Sequence, residues 1–490
     1  MVESTWNWIL QEFEKLNIND ILGNWGSGAF GAFIFAVAGV AFVGLRKWAG
    51  HRINKARIPK AVGENYTILV ACLEGDTDNR QRDHLLQSLE THMERGIFHI
   101  QPYPETLSIF EIKERSQSIT DAEATGRKWL KNSGADLLVW GKVAQEDEVL
   151  RLRMLASEGG ESESKGYVLT ETLELSIDFA EELGAALEGI IVASVSSAYS
   201  SGTYVTDILK PAYKRLRNVT QNLPAKFTPI SRGSIFNAHA MTALRLGEQL
   251  GDNRYLAEAI TSYRAALAEW TRERVPYNWA MTQSNLGIAL ALLDERERKT
   301  ARLEEAVIAY QEALKEWTPE QVPLGWASTQ NNLGLALMRL GERENVTARF
   351  EEAVIAYQRS MEVWTRARMP IYWGATQNNL GLALAAIGNR ECGTAWFEEA
   401  IIAYQEALTV WKREWVPINW AMAQHNLGLA LAAIGNRECG TARLEEAVIA
   451  YQEALKEWTP ERVPLYWEIA QNNLNLTLAE ISNRRHCIYK

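Results

Sequence analysis

The chain has 490 residues, of which 47% are hydrophobic and 23% are charged, and its formal net charge is −10 at pH 7. This length exceeds what a single hydrophobic core supports, so we expect several domains, and the composition excludes a wholly disordered chain. An acidic chain without a basic stripe repels phosphate backbones, so its charge argues against nucleic acid as a partner.

The first predicted element is a membrane span at about residues 21–45, within an N-terminal segment of residues 1–60. The stretch ILGNWGSGAFGAFIFAVAGVAFVGL has no charged residue, and as a helix it is long enough to cross a hydrocarbon core of about 30 Å. Acidic residues precede it and basic residues follow it. This bias predicts a single-pass protein of the inner membrane, with its N-terminus outside and the bulk of the chain cytoplasmic.

Two alternatives to this membrane span are a cleaved signal peptide and a buried soluble helix, which the acidic start and the length of the apolar run disfavour. Gly28, Ala32 and Ala36 follow the small-xxx-small spacing that lets two membrane helices approach closely. The spacing favours a homo-oligomer, although small residues are frequent in such spans in any case.

Residues 61–205 are predicted to form an α/β domain with a mixed sheet. Short apolar runs rich in β-formers alternate with segments of helical period, and turn signals such as EGDTD separate them. Alternation of this kind implies a sheet with helices packed on it. The predicted strands are 66–73, 97–103, 135–143, 149–157 and 167–177, and the predicted helices are 79–96, 119–134 and about 179–199.

The order of these elements and the phrase SGADLLVWGKV (133–143) resemble the small α/β domain of TolB-type and FlgO-type bacterial proteins. The resemblance implies a domain for binding or assembly rather than for catalysis. The chain has no GxxxxGK[ST], no HExxH and no GxSxG, so we predict neither an enzyme nor a cofactor. Because it also lacks CxxC pairs, we predict no metal site.

A polar loop follows the first predicted strand, where α/β folds often bind ligands. The stretch EGDTDNRQRDH (74–84) contains Asp76, Asp78, Asp83 and His84. One interpretation is a site for a cation or a phosphosugar. The other is an ordinary polar loop whose aspartates cap the next helix.

After a predicted linker at residues 206–233, the region 234–490 repeats with a period of 47 residues. Each unit separates into two helices, named here helix A and helix B. Helix A begins at a proline, where the missing N–H costs nothing in the first turn. The prolines at this interval are Pro276, Pro323, Pro370, Pro417 and Pro464.

Leu286 and Gly287 in helix A, with Ala306, Tyr310 and Ala313 in helix B, resemble the tetratricopeptide (TPR) signature, and the NNLG form of helix A is similar to kinesin-light-chain repeats. The period departs from the usual 34 residues because both connections are longer. The resemblance implies an all-α solenoid whose A helices line a concave side. The predicted fold class is therefore a single N-terminal transmembrane helix, a small α/β domain and a C-terminal TPR solenoid.

The TPR resemblance also places candidate peptide-binding residues in the concave groove. In TPR domains the residue before the Leu–Gly pair often contacts a peptide, and an amide side chain offers donors and an acceptor to an extended main chain. Alternatively, these amides bond neighbouring helices and stiffen the stack. The candidates are Asn285, Asn332, Asn379, Asn426 and Asn473, together with the preceding Asn331, Asn378 and His425.

Two functions remain open at this point. The first is a membrane-anchored cytoplasmic scaffold that holds a protein or peptide partner in the groove. The second is a membrane-tethered receptor or effector, in stress or phage defence, with a small-molecule site near Asp76 and Asp78. Neither function calls for a catalytic residue, a cofactor or a metal ligand.

Overall fold

The computed structural model describes residues 66–93, 98–107, 122, 125–130, 132–144, 149–156, 172–176, 181–198, 206–223, 227–298 and 300–488. In chain order, these residues form a five-stranded sheet with helical segments between its strands, two connecting helices and a C-terminal array of eleven further helices.

The sheet is mixed. Its strands are β1 (Tyr66–Cys72), β2 (Phe98–Thr106), β3 (Leu137–Ala144), β4 (Val149–Ala156) and β5 (Thr172–Ser176), and helix α1 (Arg80–His92) crosses from β1 to β2. The spatial order is β2-β1-β3-β4-β5. β1 runs parallel to both of its neighbours, whereas β3–β4 and β4–β5 are antiparallel.

β1 lies inside the sheet and is buried on both faces, which is why its sequence YTILVAC is almost continuously apolar. Successive side chains of a strand point to opposite faces. Ile68 and Val70 therefore enter the core shared with helix α2 (Glu181–Ala198), while Leu69 and Ala71 enter a separate core on the other face.

Helices α2 and α3 (Thr206–Gln221) join the sheet to the array, because both contact its first helix, α4 (Pro229–Leu250). The carboxylate of Glu188 in α2 is buried and accepts a hydrogen bond from Nε of Arg215 in α3 at 2.8 Å. Residues 206–221, which the sequence assigns to a linker, thus form helix α3. One face of this helix is apolar and buried, and it includes Leu209, Ala212 and Leu216.

The array is a stack of helix pairs, and every A helix begins at a proline, the first of them at Pro229. Each B helix packs against the A helix before it and also against the A helix after it. The A helices are α4, α6 (Pro276–Glu297), α8 (Pro323–Glu344), α10 (Pro370–Gly388), α12 (Pro417–Arg437) and α14 (Pro464–Ile488). The B helices are α5 (Asn253–Glu269), α7 (Thr300–Ala313), α9 (Thr347–Val363), α11 (Ala395–Val410) and α13 (Ala442–Leu455).

A glycine of helix A meets a tyrosine of helix B within each of four pairs. In the third of them, a Cβ on Gly381 of α10 would lie 2.6 Å from Cε1 of Tyr404 in α11. Tyr404 is almost fully buried, and burial raises the pKa of its hydroxyl above the ordinary range. Because glycine has no side chain, the tyrosine ring of helix B packs directly against the backbone of helix A, and the two helices lie close together. The other pairs are Gly287–Tyr310, Gly334–Tyr357 and Gly428–Tyr451.

Arginines near the C-terminal ends of the A helices bond each unit to the unit before it. Arg437 of α12 donates from Nη2 to the carbonyl of Gly388 at 3.1 Å, and Arg484 of α14 donates from Nη1 to the carbonyl of Gly435 at 2.8 Å. Such a contact satisfies a carbonyl that the helix end leaves without a partner, and the helix dipole favours a cation there. We name these side chains, which are 47 residues apart, the junction arginines: Arg296, Arg343, Arg390, Arg437 and Arg484.

One junction uses a carboxylate instead of a carbonyl. Asp294 occupies the position at which α4, α8, α10 and α12 have glycine, and its side chain is fully buried. Arg343 donates from Nη1 and Nη2 to the two carboxylate oxygens of Asp294 at 2.5 and 2.7 Å. This junction therefore depends on a bidentate ion pair, which is stronger and more directional than a neutral hydrogen bond.

The structure corrects the predicted fold class in one component. The span predicted at residues 21–45 lies outside the described residues, and no helix in the described part of the chain is both long and apolar enough to cross a membrane. α2, for example, carries Glu181, Glu182 and Glu188 within its 18 residues. The described structure therefore contradicts the transmembrane component of the predicted fold class, and it does not support the single-pass inner-membrane location that follows from that component.

Candidate functional site

The A helices lie on the inner side of the array. Neighbouring A helices contact each other directly and are bridged by short side chains, as where Nδ2 of Asn426 in α12 donates to Oδ1 of Asn378 in α10 at 3.0 Å. Neighbouring B helices are bridged by long side chains, as where Arg443 of α13 pairs with Glu398 of α11 at 2.9 Å. Because the A helices are closer together, the stack curves with its A helices inside, and we call this concave surface the inner groove.

The asparagines that the sequence selects lie on this A-helix surface, and several of them bond between successive units. Nδ2 of Asn379 donates to Oδ1 of Asn331 at 3.4 Å. One unit further on Asn426 repeats this bond to Asn378, and in the last unit Nδ2 of Asn473 lies 3.0 Å from Nε2 of His425. All the candidates are buried except Asn379, which is half-buried: Asn285, Asn331, Asn332, Asn378, His425, Asn426 and Asn473.

These contacts join the A helices of adjacent units at the floor of the inner groove. At the junction between α6 and α8 the hydroxyl of Ser284 bonds that of Thr329 at 2.9 Å, so a different pair of side chains has the same effect. Buried amides bonded in this way resist separation of the units, since a lone buried partner would be left unsatisfied. Whether the same amides also contact a ligand stays a prediction.

Acidification is expected to destabilise the array through His425. Burial lowers the pKa of His425 to about 4, from 6.5 in a solvated chain. The unfolded chain therefore binds the proton first, and the free energy of unfolding falls as the pH decreases from about 6.5 to about 4. The variant His425→Asn should lose part of this pH dependence, because asparagine occupies the equivalent position in the two preceding units.

Urea unfolding of the wild type and of His425→Asn at pH 7 and at pH 4.5 measures this difference. His239 also has a pKa lowered to about 4 by burial, so the variant should keep part of the slope. Equal losses of stability in the two proteins between these pH values would contradict the assignment to His425.

A row of aliphatic side chains lies between the bonded amides. Leu335 is four residues after Asn331 and three after Asn332, so it shares their face of α8. Leu382 and Leu429 occupy the same position in the next two units, and all three are half-buried. We call Leu335, Leu382 and Leu429 the groove leucines. Each is the second leucine of an NNLGLAL or HNLGLAL motif. The recurrence of this leucine every 47 residues is the sequence signal that could have identified the row.

The surface of the groove also contains a cluster of charged residues on α6 and α8. Arg339 lies one turn after Leu335 and forms an ion pair with Glu295 of α6, and both side chains are mostly buried. Glu342, on the same face of α8, is half-buried. Burial raises the pKa of the Glu342 carboxyl to about 7, although Arg339, Arg390 and Arg343 act to lower it.

The polar loop after β1 caps helix α1. The carboxylate of Asp76 accepts hydrogen bonds from the backbone N–H groups of Gln81 and Arg82 at 3.2 and 2.9 Å, and Asp78 accepts one from Arg80 at 3.3 Å. These contacts are those of a helix cap. A cavity of about 220 Å³ opens beside this loop, and a small-molecule site there stays a prediction.

No family model matches the sequence, and no curated protein matches it. Among solved structures, the chain is similar to NprR in complex with its cognate peptide NprX, with 11% identity and a TM-score of 0.34 over 63% of this chain and 79% of that one. It is also similar to Cut9 in the APC/C hetero-tetramer Cut9–Hcn1, with 15% identity and a TM-score of 0.31 over 61% of this chain and 59% of that one. For yeast Tom70 the identity is 11% and the TM-score 0.25, over 76% of this chain and 75% of that one.

These superpositions are partial, so the architecture follows from the helix pairs themselves. Each pair is closed by a small residue of helix A against a large residue of helix B, and the A helices of successive units lie side by side along one surface. Repetition of one such pair at a fixed interval is the defining property of helical solenoids. The C-terminal region of this chain is therefore a helical solenoid of repeated helix pairs, the architecture that its resemblance to tetratricopeptide repeats implies.

Proposed function

We propose that the chain is a protein-interaction scaffold whose TPR array binds an extended peptide segment of a partner protein in the inner groove. The observation that carries this proposal is the row of groove leucines. Single exposed aliphatic residues are ordinary on protein surfaces, but a row in register on a concave surface offers one continuous contact to one ligand.

Amide groups beside the leucines suit the main chain of such a peptide. Asn379 is half-buried and uses one of its two amide hydrogens for Asn331, so with respect to the described residues its carbonyl and its other hydrogen are left for a ligand. The more deeply buried candidates, such as Asn378 and Asn426, act by fixing the distance between A helices. Because the units are already bonded to each other, little conformational freedom is lost on binding.

The variant Leu382→Gln should weaken peptide binding by about tenfold or more, since it removes one aliphatic contact in the groove. The probe is a phage-displayed library of random nonapeptides, selected on the immobilised full chain, followed by affinity measurements with individual selected peptides. Ile402→Gln is the matched control, because Ile402 is an aliphatic residue 58% exposed on the B helix α11.

The proposal predicts that the Ile402→Gln variant binds the selected peptides as the wild type does. Equal weakening by both variants, or none by Leu382→Gln, would place the binding surface outside the inner groove. Circular dichroism of each variant, compared with the wild type, verifies that the helices are intact.

A further inference from the structure

The charged cluster in the inner groove follows the repeat only in part. Glu295 of α6 pairs with Arg339 of α8. Counting 47 residues on from Glu295 leads to Glu342 in α8, whereas counting 47 residues on from Arg339 leads to Ala386 in α10. The carboxylate is thus repeated one unit along the array, but its cation is not.

The arginines that act on Glu342 are each bonded elsewhere. Within the described part of the chain, its carboxylate forms neither an ion pair nor a hydrogen bond, although Arg339, Arg390 and Arg343 are close enough to influence it. Arg339 pairs with Glu295, Arg343 pairs with Asp294, and Arg390 donates to the carbonyl of Gly341 and to Oδ1 of Asn345.

A carboxylate in this position gains from contact with a cation. Burial without a hydrogen bond disfavours its charged form, and direct contact with a positively charged group offsets that cost. Leu335 precedes Glu342 by two helical turns on α8, and Leu382 lies one turn before Ala386 on α10, so the repeat places aliphatic side chains on the same A-helix surface as the carboxylate. A long side chain with an apolar stem and a cationic end matches this arrangement.

We propose that Glu342, which shares its A-helix surface with Leu335 and Leu382, binds a lysine or arginine side chain of the peptide in the inner groove, an inference that rests on the proposed function. The aliphatic part of this peptide side chain packs on the leucines, and its cationic end pairs with Glu342. The pair is equivalent to the one that Arg339 forms with Glu295 one unit earlier. The groove therefore selects peptides with a basic residue at one fixed distance from their apolar residues.

The test uses the same phage-displayed nonapeptides, selected on the immobilised full chain. Peptides selected by the wild type should be enriched at least tenfold for lysine or arginine at one position relative to the apolar ones. Glu342→Gln, which keeps the shape of the side chain and removes its charge, should still select apolar peptides but lose this enrichment. Glu351→Gln is the matched control, because Glu351 is exposed on the B helix α9.

A second measurement assigns the contact directly. In a selected peptide, replacing the enriched lysine by norleucine should weaken binding to the wild type about tenfold and leave binding to Glu342→Gln unchanged, as expected for one charge-assisted contact. Circular dichroism melting verifies that each variant is folded.

The outcomes separate this inference from the proposed function. Selection of peptides without basic enrichment, or with enrichment that persists in Glu342→Gln, would overturn the role of Glu342 and leave the groove function standing. A library from which the wild type selects no peptide would overturn both.

Discussion

Replacing Asp294 by alanine is expected to lower the free energy of unfolding by about 3 kcal/mol, because it leaves the guanidinium of Arg343 without its carboxylate in a mostly buried junction. The side chain of Asp294 is fully buried and that of Arg343 is 24% exposed, so water compensates the lost partner only in part. Urea unfolding monitored by circular dichroism gives the difference from the wild type.

Asp294→Asn is the matched control for this substitution. Its amide oxygen accepts a hydrogen bond from Arg343 in the place of one of the two carboxylate oxygens, whereas the methyl group of alanine accepts none. We therefore expect a smaller loss of stability for Asp294→Asn than for Asp294→Ala. The same stability for Asp294→Ala and for the wild type would show that the pair does not hold the junction.

Replacing Gly381 by alanine is expected to cost about 1–2 kcal/mol, although alanine is the better helix former by about 1 kcal/mol. The added Cβ would lie 2.6 Å from a ring carbon of Tyr404, closer than the two atoms can approach. Tyr404 is buried on every side, so its ring cannot move away without displacing its neighbours. Loss of stability in urea, with helical content unchanged at zero denaturant, is the expected result.

The control for the glycine prediction is Gly440→Ala. A Cβ added at Gly440 meets no atom within 4 Å, so this substitution should be neutral or slightly stabilising. A loss at Gly381 no larger than that at Gly440 would contradict the interpretation of the glycine–tyrosine contact.

Much of the helical array could be predicted from the sequence because its signals are local and repeated. The first residue of each later A helix follows from the chemistry of proline, and Pro276 and Pro370 are indeed first residues. The alternation of strands and helices before the array is local in the same sense. An apolar run such as 21–45, however, satisfies the criterion of length and absence of charge without fixing what surrounds it, and no helix in the described residues supports a membrane span.

The contacts between units were not predictable in the same way. Arg437 bonds the carbonyl of a residue 49 positions earlier, and nothing in the sequence around it distinguishes that contact from an exposed turn. The amides posed a similar difficulty, since one side chain such as Asn378 has the chemistry both to bond a neighbouring helix and to bind a peptide. Only the distance to Asn426 reveals which bond is made.

At most boundaries between units, the junction arginine of the later unit donates a hydrogen bond to a backbone carbonyl of the earlier unit. The donor and the acceptor of this bond therefore both recur every 47 residues. Inserting or deleting one whole unit would recreate the same hydrogen bond at the new boundary. Gene duplication can therefore lengthen or shorten this protein by complete units without a new interface, and at the boundary closed by Asp294 any following unit supplies an arginine to pair with it.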